Sequence, residues 1–290
     1  MRKIDGYGII GAIDSFEALQ AGFGELCGLP WASTEARNLL LYQMLEIIDR
    51  TLAEMLSETR PTTLFDAMRH AVMSGGKRVR PQICLAASIA VGGKSEDAVY
   101  PACAIELLHS YTLVHDDLPS MDNDIERRGL PSVWAKYGEA NAVLAGDALQ
   151  ALAFRAAAMA PRNADRIVAV LAEAGVGVVR GQVEDLVGDD VGFIYRHKTA
   201  DLFVAAAVMG AHAGGCSDDD TAKLRSYALN LGLAFQFEDD LLDGDSPYSR
   251  EETERKVTLH TASAIAALDG LQGDMSYLVS LAERLAGRSV

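Results

Sequence analysis

His115-Asp116-Asp117-Leu118-Pro119-Ser120-Met121-Asp122-Asn123-Asp124 places four aspartates within nine residues, and Arg127 and Arg128 follow directly. Carboxylates packed this closely repel one another unless cations neutralise them. Hard oxygen donors of this kind suit Mg²⁺, which keeps several waters and bridges to phosphate oxygens. The arginines add planar donors that match phosphate geometry. A second acidic stretch, Glu238-Asp239-Asp240-Leu241-Leu242-Asp243, comes directly after Phe235-Gln236-Phe237. Asp239 and Asp243 are one helical turn apart and share a face. One such stretch alone reads equally well as a solvated acidic loop. Together they describe two carboxylate clusters that could face each other across a cavity and hold several metal ions.

The elements that must position these clusters are helices. Residues 104–114, before the first cluster, are mostly apolar with helical spacing. The run to the second is apolar through Leu229, Leu231, Leu233, Phe235 and Phe237. Asp116 and Asp122, six residues apart, would lie on different faces of a regular helix, and Pro119 cannot sit in a helix interior. A bulge or kink must bring Asp122 back beside Asp116.

Upstream, a helix starting near Ser33 and Thr34 has an apolar face at Leu39, Leu40, Met44, Ile47, Ile48 and Leu52. Pro61-Thr62-Thr63 opens a second helix, to about Met73, that Ser74-Gly75-Gly76 ends. Lys77, Arg78 and Arg80 follow, and Pro81 opens the next helix. Three basic residues beside flexible backbone read as an anion cradle or, equally, as a solvated turn. His109, seven residues before Asp116, projects from nearly the same helix face. Downstream, helices are expected over Gly138 to Met159, over residues 164–187 with Gln182 and Asp185, and over Tyr195 to Ala213 with Lys198 and Thr199. Asp218, Asp219 and Asp220 read as the cap and first turn of the helix that runs to the second cluster. No segment alternates with period two, and no repeat or linker appears. The expectation is one all-α domain over residues 33–290 behind a glycine-rich leader, residues 1–32.

A formal net charge of −15 over 290 residues excludes a nucleic-acid binder, which needs a basic surface, and docking to an anionic membrane. No apolar run approaches the 18 residues of a membrane span. Cys27, Cys84, Cys103 and Cys216 match no zinc spacing and read as small buried residues in a reducing cytosol.

Several motifs occur in one order: Gly75-Gly76-Lys77-Arg78-Val79-Arg80-Pro81, the first aspartate cluster with Arg127-Arg128-Gly129, Gly181-Gln182-Val183-Glu184-Asp185, Lys198-Thr199, and Phe235-Gln236 before the second cluster. In these the chain resembles the trans-isoprenyl diphosphate synthases, the farnesyl and geranylgeranyl diphosphate synthase family, over residues 35–290. The resemblance implies a single-domain isoprenoid-synthase helical bundle around a deep central cavity, and a cytoplasmic homodimer. It implies head-to-tail transfer from an allylic diphosphate, dimethylallyl or geranyl, to isopentenyl diphosphate, with Mg²⁺ as cofactor, about three ions per site. By the same resemblance Asp116, Asp122 and Asp239 are the main metal ligands, and Asp117, Asp240 and Asp243 assist. Arg127, Lys198 and Lys256 hold the allylic diphosphate; Lys77, Arg80, His109 and Arg128 hold isopentenyl diphosphate. Gln236 and Thr199 direct oxygen dipoles at the allylic cation.

The chain departs from the family at Tyr195, where histidine is usual, at Ala200, where glycine is usual, and in shortened segments before Lys198 and after Asp243. Tyr111, an aromatic five residues before Asp116, resembles bacterial farnesyl diphosphate synthases. The expectation is therefore a C15 product, with the Tyr111 ring as pocket floor. The alternatives are a C20 synthase and a non-catalytic partner subunit of a synthase. A terpene cyclase would not need Lys77, Arg80 and Arg128.

Overall fold

The computed structural model describes residues 34–287, with side chains from residue 43 on. The leader expected over residues 1–32 lies outside the described residues. Cα proximity divides the chain into Met1–Met44 and Leu45–Val290, and the first of these is described as helical from Thr34. The helices in order are α1 (Thr34–Met55), α2 (Thr62–Met73), α3 (Val79–Ala90), α4 (Val99–Asp116), α5 (Val133–Tyr137), α6 (Glu139–Ala158), α7 (Ala164–Val187), α8 (Val191–Ile194), α9 (Asp201–Gly214), α10 (Asp218–Asp243), α11 (Arg250–Ala267) and α12 (Ser276–Ala286). The all-α expectation holds, apart from a two-residue hairpin, β1 (Glu126–Arg127) with β2 (Leu130–Pro131).

The centre of the fold is α9. Every residue from Leu202 to Ala213 is buried, and the helix packs against α3, α4, α7 and α10. A helix that is apolar all round must be enclosed. Large enclosed side chains such as Phe203, and Tyr227 on α10, each contribute roughly 1.5–3 kcal/mol of burial. Tyr227 keeps its hydroxyl satisfied by donating to the Leu278 carbonyl at 2.8 Å. Both acidic clusters are carried on helices gripped by this core, at the C-terminal ends of α4 and α10. The negative end of each helix dipole adds to the need for cations there.

Three local details differ from the sequence reading. The basic turn joins its helix two residues early, at Val79 rather than Pro81, because Arg78 takes the left-handed conformation as its cap residue. The helix expected from Tyr195 begins as one π-helical turn, Tyr195–Ala200, and becomes regular at Asp201. Ser217 caps α10 by accepting from the Asp220 N–H, and Asp218–Asp220 form its first turn as expected.

Candidate active site

Lys77, Arg80, His109 and Arg128 come from three separate segments and line one cavity of about 550 Å³ with Gly76, Glu106 and Phe235. Arg80 rests its guanidinium 4.9 Å over the Phe203 ring and donates from Nη1 to His109 Nε2 at 3.3 Å. Burial, with Arg80 and Arg128 beside it, holds His109 well below its usual range, so the imidazole is neutral. A neutral ring that accepts at Nε2 carries its proton at Nδ1. That Nδ1 and Arg80 Nε are both buried without a hydrogen-bond partner. Burial also pulls the Arg80 guanidinium down to about 10, Arg128 adding to the effect and Glu106 and Asp239 opposing it. It remains charged at neutral pH. Buried donors without acceptors are costly, and both of these belong to side chains that line the cavity.

The hairpin divides two consecutive arginines between two places. Arg128 and Gly129 form its two-residue turn, both with positive φ (57° and 76°), the geometry that closes a tight hairpin. Arg127, on the strand, turns to the first acidic cluster and donates from Nε to Asp117 at 2.9 Å and from Nη2 to Asp124 at 2.9 Å. Arg128 turns the other way and donates to the Gly75 carbonyl at the cavity mouth. A Cβ on Gly76 would lie 2.7 Å from Arg128 Nη1, so glycine there makes room for the guanidinium.

At the first cluster the chain folds back as the sequence required. The Asp122 N–H donates to the Asp116 carbonyl at 2.8 Å, which places Asp122 beside Asp116. Burial raises the Asp116 carboxyl to about 7, with Asp122 and Asp117 adding and Lys198 and Arg127 opposing. This carboxylate is short of positive charge. Asp122 is exposed and accepts from Gln182 Nε2 at 3.3 Å.

The π turn ties α7 to α10. Gly181 lets it approach: a Cβ there would fall 2.4 Å from the Lys198 nitrogen. Lys198 Nζ donates to Asp185 on α7. Thr199 Oγ1 donates to Gln236 Oε1 at 2.7 Å, and Gln236 Nε2 donates to Asp240 Oδ1 at 2.9 Å. The second oxygen of Asp240 accepts from the Tyr195 hydroxyl. Asp239 is half-buried and Asp243 exposed on the same helix. π turns occur often where helices carry functional groups.

The placements refine the sequence assignments. Asp117 and Asp240, expected to assist the main metal ligands, are buried: one oxygen of Asp117 accepts from Arg127, and the two oxygens of Asp240 accept from Tyr195 and Gln236. They orient those donors. Lys256, expected on the allylic diphosphate, has its ammonium 4.4 Å over the Tyr248 ring and 3.9 Å from Glu252. The short connection after Asp243 leaves it on α11, packed on aromatics. Arg78 is no part of an anion cradle, because it is buried in ion pairs to Glu106 (2.7 Å) and Asp49 (2.9 Å). Glu106, the support of this corner, sits unremarked in an apolar helix and had no signal in the sequence. The same is true of Phe203 beneath Arg80.

Among the described residues no three His, Cys, Asp or Glu side chains form a ready metal cage. The donors still fit Mg²⁺. They are hard carboxylate oxygens with a shortage of positive charge at Asp116, and Mg²⁺ completes its shell with water and phosphate oxygens. Asp116, Asp122, Asp239 and Asp243 are the carboxylates that would hold it.

The polyprenyl synthetase family profile matches residues 61–267. A geranylgeranyl diphosphate synthase of Cyanophora paradoxa is 43% identical over 71% of this chain and 74% of its own length. The large subunit 1 of the heterodimeric geranylgeranyl pyrophosphate synthase of Arabidopsis thaliana is 44% identical over 68% of this chain, though the match spans 58% of that protein. Among solved structures, an FPP/GFPP synthase from Zymomonas mobilis aligns over 85% of this chain and 97% of its own with a TM-score of 0.79 and 35% identity. The geranylgeranyl pyrophosphate synthetase of Pyrococcus horikoshii aligns over 88% and 99% with a TM-score of 0.81 and 28% identity. The chain belongs to the polyprenyl synthetase family of trans-prenyltransferases.

Proposed function

We propose that this protein joins isopentenyl diphosphate head to tail with an allylic diphosphate and carries the product to C20. The observation that carries the reading is the cationic cavity lined together by Lys77, Arg80, His109 and Arg128. That donor set fits a diphosphate, and it holds isopentenyl diphosphate while the acidic clusters serve the other substrate. In the reaction the C1–O bond of the allylic diphosphate breaks and its electron pair leaves with the diphosphate. The isopentenyl double bond supplies the electrons of the new carbon–carbon bond, and a proton then leaves to the released diphosphate. Mg²⁺ on Asp116, Asp122 and Asp239 would supply Lewis-acid neutralisation of the leaving group. Arg127 and Lys198 sit beside these carboxylates and add fixed positive charge. Thr199 and Gln236 present oxygen dipoles to the allylic cation.

C20 replaces the C15 expectation. Support comes from the relatives, named as geranylgeranyl diphosphate synthases, and from Tyr111 itself. Its ring leans edge-on against His115, 5.0 Å between centroids, and its hydroxyl is hydrogen-bonded to Gln150 on α6. Tyr111 is thus held at the α4–α6 contact, and the C15 stop loses its main argument. The reading includes a cytoplasmic homodimer. Val176, Val179, Val183 and Leu186 stand exposed along one face of α7, an apolar stripe that a second copy would cover. Among the described residues no helix is long and apolar enough to cross a membrane. The test is to incubate the pure protein with Mg²⁺, isopentenyl diphosphate and dimethylallyl, geranyl or farnesyl diphosphate in turn. A C20 product that disappears in EDTA is expected. An absence of any prenyl product contradicts the reading, and a product that stops at C15 restores the earlier expectation.

A further inference from the structure

Tyr195 stands where the resemblance led us to expect histidine, and its surroundings give that exchange a meaning. Its ring packs edge-on against Phe237, 5.2 Å between centroids, in a small cluster with Val257. Its hydroxyl donates to Asp240 Oδ2. It opens the π turn that carries Lys198 and Thr199, so this bond ties the start of the turn to α10, as the Thr199–Gln236 bond ties its end.

The hydrogen inventory then fixes directions. A carboxylate accepts and does not donate, so the group that Gln236 turns to Asp240 Oδ1 must be its NH₂. Its carbonyl Oε1 therefore faces Thr199, whose hydroxyl proton is spent on it at 2.7 Å. The Thr199 oxygen is left with its lone pairs outward and no proton there. Oxygen lone pairs are what a developing cation needs, whereas an outward O–H would repel it. Without the Tyr195 hydroxyl, Asp240 Oδ2 loses its donor, the carboxylate is free to turn, and the Gln236 amide loses its anchor. A half-satisfied buried network of this kind loses its unique arrangement.

We infer that Tyr195 is a positioning residue for prenyl transfer: through Asp240 it sets the orientation of Gln236 and Thr199, so that both present oxygen to the allylic cation. The inference rests on the prenyl-transfer reading above. Tyr195→Phe keeps the ring in its aromatic cluster and removes only the donor, and Tyr195→His restores an N–H donor at the same place.

The experiment combines kinetics with binding. Wild type, Y195F and Y195H are compared for kcat, for the KM of isopentenyl diphosphate, and by calorimetry for two unreactive ligands in the presence of Mg²⁺. One ligand is an ammonium analogue of geranyl diphosphate with nitrogen at C3; the other is geranyl thiolodiphosphate, uncharged at that position. Y195F is expected to lower kcat about 10-fold and to weaken the ammonium analogue by a similar factor, less than the ~10²-fold of losing a group that itself faces the charge, because Tyr195 acts through Asp240 and Gln236. Its KM for isopentenyl diphosphate and its affinity for the thiolodiphosphate should stay within about twofold, and Y195H should recover part of the loss. A folded Y195F that keeps kcat and the ratio of the two affinities overturns the inference. So does an equal loss for both ligands, which marks a structural role. If Y195F does not fold, Y195H alone decides: the same ratio as wild type in a slow enzyme contradicts the inference. A wild-type protein that forms no prenyl product instead brings down the reading on which the inference stands.

Discussion

Around Arg80 the protein brings its own cations to a diphosphate-sized cavity, whereas around Asp116 it brings carboxylates that by themselves repel a diphosphate. The first region is assembled before any ligand arrives. Arg80 is stacked on Phe203, His109 is neutral and oriented, and Arg128 is fixed by the hairpin turn. Its incompleteness consists of two unpartnered donors. The second region is incomplete in charge: burial, with Asp122 and Asp117 beside it, raises Asp116 to about 7 in spite of Lys198 and Arg127. On the proposed function one group would be recognised in two ways, by direct donors where the diphosphate stays on its substrate and by donors that recruit metal where it leaves. A leaving diphosphate gains charge in the transition state, and metal held by fixed carboxylates is suited to that.

The largest expected effect lies on the acidic side. Asp116→Ala or Asp239→Ala should lower kcat at least ~10²-fold at saturating Mg²⁺, the scale of losing one preorganised electrostatic element. Steady-state rates within tenfold of wild type in both variants would erase the distinction between the two regions. On the cationic side the losses should fall on binding. Arg80→Ala and Arg128→Ala each remove a charge-assisted bond, about 1.5–3 kcal/mol, and should raise the KM for isopentenyl diphosphate roughly 10–100-fold. The KM for the allylic primer should move little, and Lys256→Ala should move neither, since Lys256 is packed on Tyr248. An equal rise for both substrates in the arginine variants would break the comparison.

The smallest effect is on stability. The Asp116 carboxyl titrates near 7 in the folded protein and near ~3.9 in an unfolded chain. Between those values the folded, metal-free protein keeps a proton that the unfolded chain releases. Asp116 therefore makes stability fall as pH rises from about 4 to about 7. Asp116→Asn removes that dependence. At pH 8 without metal it should raise Tm by ~2–4 °C, what about 1 kcal/mol is worth in a domain of this size. With Mg²⁺ and inorganic diphosphate added, wild type should gain more than the variant. A lower metal-free Tm in Asp116→Asn would show that this carboxylate is not short of positive charge.

The sequence made the helices and both clusters legible because their signals are local: apolar period, glycine stops, and aspartates at fixed spacing. The return of Asp122 to Asp116 was readable too, since Pro119 and the six-residue interval exclude a regular helix. What escaped it depended on contacts distant in the chain. The resemblance divides Arg127 and Arg128 between the two diphosphates, but the means, a hairpin turn not signalled by the usual Asn-Gly, was not readable. The resemblance ranks Asp117 and Asp240 behind Asp116 and Asp239, but the donors that reach them from other segments, Arg127 and Tyr195, carry no local signal. Nothing near Lys256 in the sequence signals that its ammonium lies over the Phe237 and Tyr248 rings.

The most direct test of the two-region account is calorimetric titration of each diphosphate with and without metal. Isopentenyl diphosphate and unreactive geranyl thiolodiphosphate would each be titrated in Mg²⁺ and again in EDTA. The account predicts that isopentenyl diphosphate keeps its affinity within about threefold in EDTA, while the thiolodiphosphate loses at least ~10²-fold, about 2.7 kcal/mol. Equal metal dependence for the two ligands, or none for either, would contradict it.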